Sequence, residues 1–119
     1  MRNFKKLDIW QKGMSIAVDC FKLIEEFPST EKFALSRQIT RAAVSIPCTI
    51  AEGNTRTSNK EKRHFTEIAL GSAFELETQI RLAKMINFGN PNLTNQLLLG
   101  IDAEQKMITS FIHTLNEDG

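Results

Sequence analysis

Residues 36 to 53 constrain the fold more tightly than any other part of the chain. Ile39, Ala42, Ala43, Ile46 and Ile50 recur at steps of three and four, the spacing that puts side chains on one face of an α-helix. Arg37 and Arg41 lie one turn apart on another face, so the helix has a core side and a basic side. Pro47 falls in the middle of this pattern. It has no N–H for the carbonyl of Ala43 and its ring crowds that carbonyl, so it either kinks one helix or ends it near Ile46. The kink is favoured, because Ile50 carries the stripe past the proline and Gly53-Asn54 supplies a stop.

Three further helices follow from the same periodicity. Leu7, Trp10, Met14, Ala17, Phe21 and Ile24 form a heptad-like seam running through residue 27. Ile9, Ile16, Cys20, Leu23 and Phe27 form a second row beside it, an apolar arc wide enough for two neighbours. Pro28-Ser29-Thr30 breaks this first helix. Thr30 is the expected N-cap of the second, over roughly residues 31 to 52, with Glu31 in its first turn. Ser58 and Glu61 have capping-box spacing and open a third helix, whose apolar face runs from Phe65 through Ile68, Ala69, Ser72, Leu76, Ile80 and Ala83 to Ile86. Gly71 inside it suggests close approach of another helix over Ala69-Gly71-Ser72-Ala73. After the turn Gly89-Asn90-Pro91-Asn92, a fourth helix extends to the C-terminus on Leu93, Leu97, Ile101, Ile108, Phe111, Ile112 and Leu115, with Glu104 interrupting its stripe.

Four helices with short connections and no alternating strand pattern predict an all-α, up-down-up-down antiparallel four-helix bundle. The 119 residues, 41% of them hydrophobic, suit one domain over 1–119. No apolar run approaches the roughly 20 residues that span a bilayer, and the N-terminus lacks a secretory apolar segment, so the expectation is a cytoplasmic protein without a membrane partner. Cys20 and Cys48 have no histidine at ligand spacing and are expected as buried free thiols.

No constellation for catalysis stands out. His64 and His113 are isolated, Glu75 and Glu77 point to different sides of their helix, no Glu-x-x-His pair occurs, and the glycines are scattered. The expectation is a non-enzyme without metal or cofactor, and a metal or redox bundle ranks last. Charge is more informative. The net charge is only +1, but residues 32 to 63 carry seven basic side chains against two acidic. Arg37, Arg41, Arg56, Lys60, Lys62 and Arg63 sit on the second helix, its following loop and the start of the third, which a bundle makes adjacent. They are the candidate nucleic-acid-binding residues, since phosphate contacts need only clustered cations on an exposed face. Few aromatics interleave with them, so base stacking is not expected. The competing reading is a solvated face with internal pairs, such as Arg56 or Lys60 with Glu52 or Glu61, on a plain protein-interaction module.

Three ordered blocks also carry a family resemblance. Arg-Ala-Ala-Val-Ser-Ile-Pro-x-x-Ile-Ala-Glu-Gly over residues 41 to 53, Leu7-Asp8-Ile9-Trp10-Gln11-Lys12, and Ile68-Ala69-Leu70-Gly71-Ser72-x-x-Glu75-Leu76-Glu77-Thr78-Gln79 resemble the S23, or 23S rRNA intervening-sequence, four-helix-bundle family. Accessory variability proteins of diversity-generating retroelements are similar. The resemblance implies a homopentamer associated with ribosomal RNA or other nucleic acid, with a reverse transcriptase as a further partner. Cys48-Thr49 after the proline and the weakly basic Asn54-Thr55-Arg56-Thr57 depart from the family pattern. Surplus apolar surface, expected on the first helix, at Ala42-Ala43 and at Ala69 to Ala73, points independently to self-association.

Overall fold

A computed structural model of the protein describes residues 3–31 and 34–115. It contains four long helices, α1 (Asp8–Ile24), α2 (Leu35–Asn54), α3 (Asn59–Met85) and α4 (Pro91–Thr114). α1 packs against α2 and α4, and α3 packs against the same two, so helices adjacent in sequence are adjacent in space. The product is the expected four-helix bundle, with principal extents of 49 × 22 × 20 Å.

The stripe over residues 39 to 50 is the inner face of α2. Ile39, Ala42, Ala43, Ile46 and Ile50 are all buried, in one core with Cys20 and Leu23 from α1, Ala69, Ala73, Leu76, Ile80 and Ala83 from α3, and Leu97, Ile101 and Ile108 from α4. Each large aliphatic in that set contributes about 1.5–3 kcal/mol by leaving water. Pro47 is itself buried and α2 runs unbroken through it to Asn54, so the proline does not end the helix.

Helix ends follow side-chain chemistry closely. Ser58 Oγ accepts from the Glu61 N–H and starts α3. Asn90 Oδ1 accepts from the Asn92 and Leu93 N–H groups and, with Pro91 in the first turn, starts α4. At the end of α3 the N–H groups of Asn87 and Phe88 donate to the carbonyls of Lys84 and Ala83, with Asn87 in the left-handed region at φ 59°. That is the double bond of a Schellman stop. Gly89, at φ 85°, then passes so close to α1 that a Cβ would stand 2.5 Å from Leu23 Cδ1.

Four expectations need correction. Ser29–Glu31 wind into a separate 3-10 turn and α2 begins only at Leu35, without a side-chain cap, so Thr30 is not its N-cap and Glu31 is not in its first turn. Beyond its own stretch of helix, Gly71 has no atom of the described residues within 4 Å of where a Cβ would stand, so no other described helix approaches it closely. Cys20 is buried as expected, and burial among apolar neighbours, reinforced by Asp19, pushes its thiol up to about 12, but Cys48 is exposed on the outer side of α2. Ala42, Ala43, Ala69 and Ala73 are fully enclosed, so they provide no surplus surface. The first helix does. Its second row is the buried one, which leaves Met14, Val18 and Phe21 about half exposed.

The C-terminal residues 116–119 of the expected fourth helix lie outside the described residues. No helix is long and apolar enough to cross a membrane, among the residues described.

Candidate nucleic-acid interface

The structure separates the basic block into distinct places. Arg37 and Arg41 project from the outer face of α2, one turn apart, followed on the same face by Val44 and Cys48, all exposed. They share that face because the inner positions of α2 are committed to the core. Neither arginine has an ion-pair partner among the described residues, and α2 has no acidic side chain before Glu52.

Arg56 and Lys60 occupy the end of the α2–α3 hairpin. Gly53 lets the two helices meet there, since a Cβ at that position would stand 2.7 Å from Phe65 Cβ. The Arg56 guanidinium lies over the Phe65 ring, 4.6 Å from its centroid, and its Nη2 reaches Glu52 Oε2 at 3.2 Å. This realises the internal pair that competed with the binding reading, and in this geometry it still leaves Arg56 partly exposed. Lys60 is exposed on the first turn of α3, beside an open hollow of about 670 Å³ lined also by Arg56, Ser58, Glu61, His64 and Phe65.

Lys62 and Arg63 do not join that surface. Lys62 is half-buried and lines a small cleft against Leu7, Ile50, Thr66 and Phe111 at the end of the core. Arg63 pairs with Glu67 at 3.3 Å. The physical reason is helical rotation: successive residues turn by about 100°, so Lys60, Lys62 and Arg63 leave the helix in different directions. Arg41 is also about 20 Å of helix rise, at 1.5 Å per residue, from the end of α2 at Asn54, beyond which Arg56 lies. The interface therefore has two parts, Arg37–Arg41 on the flank and Arg56–Lys60 at the hairpin end.

Between α2 and α3, beside Arg41, runs a polar groove of about 430 Å³ lined by Gln38, Ser45, Ser72, Glu75 and Gln79. Ser45 and Ser72 hydroxyls bond across its floor at 2.9 Å. Of this group, only Arg41 is among the candidate binding residues read from the sequence. Arg41 and Ser45 come from the block over 41–53, Ser72, Glu75 and Gln79 from the block over 68–79, and they meet at this groove once α2 and α3 pair.

The acidic side chains divide by environment. Glu77 accepts from Gln105 at 2.8 Å and from Arg81 at 2.8 Å, and these two bonds, Gln105 first, hold its carboxyl below the usual range. Glu104 does not interrupt the core but belongs to it. It is fully buried, neither oxygen has a hydrogen-bond partner among the described residues, and burial raises its pKa to about 8 against the opposing pull of Lys12. No group of three or more His, Cys, Asp or Glu comes together as a metal site among the described residues.

The sequence matches the model of the 23S rRNA-intervening sequence protein family over residues 5–110. The fold is similar to the crystal structure of a protein with unknown function from the S23 ribosomal protein family of Bacteroides thetaiotaomicron. The TM-score is 0.81 at 23% identity, covering 87% of this chain and 97% of that one. No curated protein matches.

Proposed function

This chain belongs to the 23S rRNA-intervening sequence protein family, and on that premise we propose that it is a non-enzymatic, self-associating bundle that binds structured RNA through phosphate contacts. The observation that carries the reading is the pair Arg37 and Arg41, exposed one turn apart on one helix face and without an ion-pair partner among the described residues. Arg56 and Lys60 extend the basic surface at the hairpin end. Each phosphate neutralised releases counterions, so affinity falls steeply with salt. A single copy offers few such contacts. Self-association multiplies them, and the half-exposed Met14, Val18 and Phe21 of α1 with Val44 of α2 supply apolar surface for it. The family resemblance supports a pentamer as the form of that assembly.

The same apolar surface supports a second reading, a protein-interaction module that binds no nucleic acid. A mobility shift with ribosomal RNA at two salt concentrations separates them. Binding that weakens as salt rises supports phosphate contact, whereas no shift at low salt, or a shift indifferent to salt, overturns it.

A further inference from the structure

The α2–α3 groove has a chemistry that general phosphate attraction does not use. It is lined by a cation, Arg41, together with the Glu75 carboxylate and the Gln79 carboxamide. Gln79 Oε1 is shielded from solvent and has no hydrogen-bond partner among the described residues. Buried polar atoms are seldom left unpaired, so this acceptor marks a place for a donor from outside. Neither Arg41 nor Glu75 makes an ion pair among the described residues, although both border one groove. Gly71, one turn before Glu75 on α3, leaves open space on that side.

The combination selects its ligand. A cationic peptide side chain would satisfy Glu75 and Gln79 but would be repelled by Arg41, and an acidic one would meet the reverse conflict. A ribonucleotide carries an anionic phosphate next to hydroxyl, imino and amino donors and fits both halves. We propose that this groove holds one unpaired ribonucleotide of a bound RNA. The phosphate lies on Arg41, and the 2′-hydroxyl and a base-edge N–H are both donated to Glu75 and Gln79. This rests on the RNA-binding reading and adds to it a preference for single-stranded RNA over DNA, because the 2′-hydroxyl is present only in RNA and a paired base has its edge occupied.

Fluorescence anisotropy with a short single-stranded RNA, the DNA of the same sequence and the RNA duplex tests this at one low salt concentration. Wild type should bind the single-stranded RNA roughly three- to tenfold more tightly than the DNA, the value of one well-made hydrogen bond. Gln79→Leu and Glu75→Gln should each bring that ratio towards one. The ratio is the diagnostic reading, because a purely structural disturbance weakens all three probes together, and Glu75 is exposed, so Glu75→Gln leaves the core untouched. Equal binding of RNA and DNA by wild type, or a ratio unmoved by both variants, overturns the groove while leaving the basic face standing. Absence of binding to every probe overturns the basic face and the groove together.

Discussion

Replacing Glu104 by glutamine should stabilise the protein at neutral pH and do nothing in acid. In the folded bundle the carboxyl sits at 0% exposure against α1 and α2, with a Cβ built on Gly13 only 3.1 Å from its Oε2 and 3.2 Å from Ile46 Cγ2. Its pKa is raised from 4.5 to about 8, first by burial, with the charge of Lys12 on α1 acting in the opposite direction. Below pH 4.5 the folded and unfolded chains both hold the proton, and the group contributes no pH dependence. From 4.5 to about 8 the unfolded chain releases the proton and the fold must keep it, so stability declines as pH rises, and above 8 the loss levels off. At pH 7 the gap is about 2.5 pK units, or about 3 kcal/mol at 1.36 kcal/mol per unit. Glutamine has nearly the same shape and no ionisation. Urea unfolding of wild type and Glu104→Gln at pH 4, 5.5, 7 and 8.5, at equal protein concentration, isolates this group because all other titrations cancel in the difference. The variant should match wild type at pH 4 and exceed it by about 3 kcal/mol at pH 7, a rise in Tm on the order of 10 °C. A difference that stays constant with pH, or a wild type that gains on the variant as pH rises, would refute the neutral buried acid.

Packing at the glycines gives two further expectations. Gly89→Ala should destabilise by about 2 kcal/mol or more, because a positive φ and a Cβ 2.5 Å from Leu23 Cδ1 combine there, and thermal melting reads it. Gly71→Ala should stabilise by about 1 kcal/mol in the same assay, since open space surrounds the new methyl and alanine favours the helix. Light scattering coupled to size exclusion should give a mass several times the 13.5 kDa of one chain, and charged substitutions at Val18 and Phe21 should lower it. A mass near 13.5 kDa would remove self-association from the proposal.

Most of the fold is legible in the sequence because helical period, caps and breakers agree along the chain. The inner face of α2, the Ser58 cap and the Asn90–Pro91 start of α4 follow from local chemistry, which neighbours do not alter. What depends on neighbours is harder to read. The two apolar rows of α1 are equally periodic, and only the placement of α2 and α4 decides that Ile9, Ile16, Cys20 and Leu23 are enclosed while Met14 and Phe21 are not. Glu104 reads as a polar break in a stripe, because sequence alone cannot tell that α1 and α2 close over it. Among the candidate site residues, Arg37, Arg41, Arg56 and Lys60 are placed on accessible surface. Lys62 is turned into the end of the bundle by the same 100° step that makes the helix amphipathic. The groove is hidden in the linear sequence because its residues come from two helices and become one site only when those helices pair.

The central claim, that exposed arginines on α2 bind RNA phosphates, is tested most directly by the salt dependence of RNA affinity in wild type and in Arg37→Ala/Arg41→Ala. Plotted as log affinity against log salt, wild type should give a clearly negative slope. With both arginines removed from every chain, affinity should fall and the slope should flatten by roughly 0.7–0.9 for each phosphate that is no longer neutralised. A variant with wild-type affinity and an unchanged slope would contradict the account.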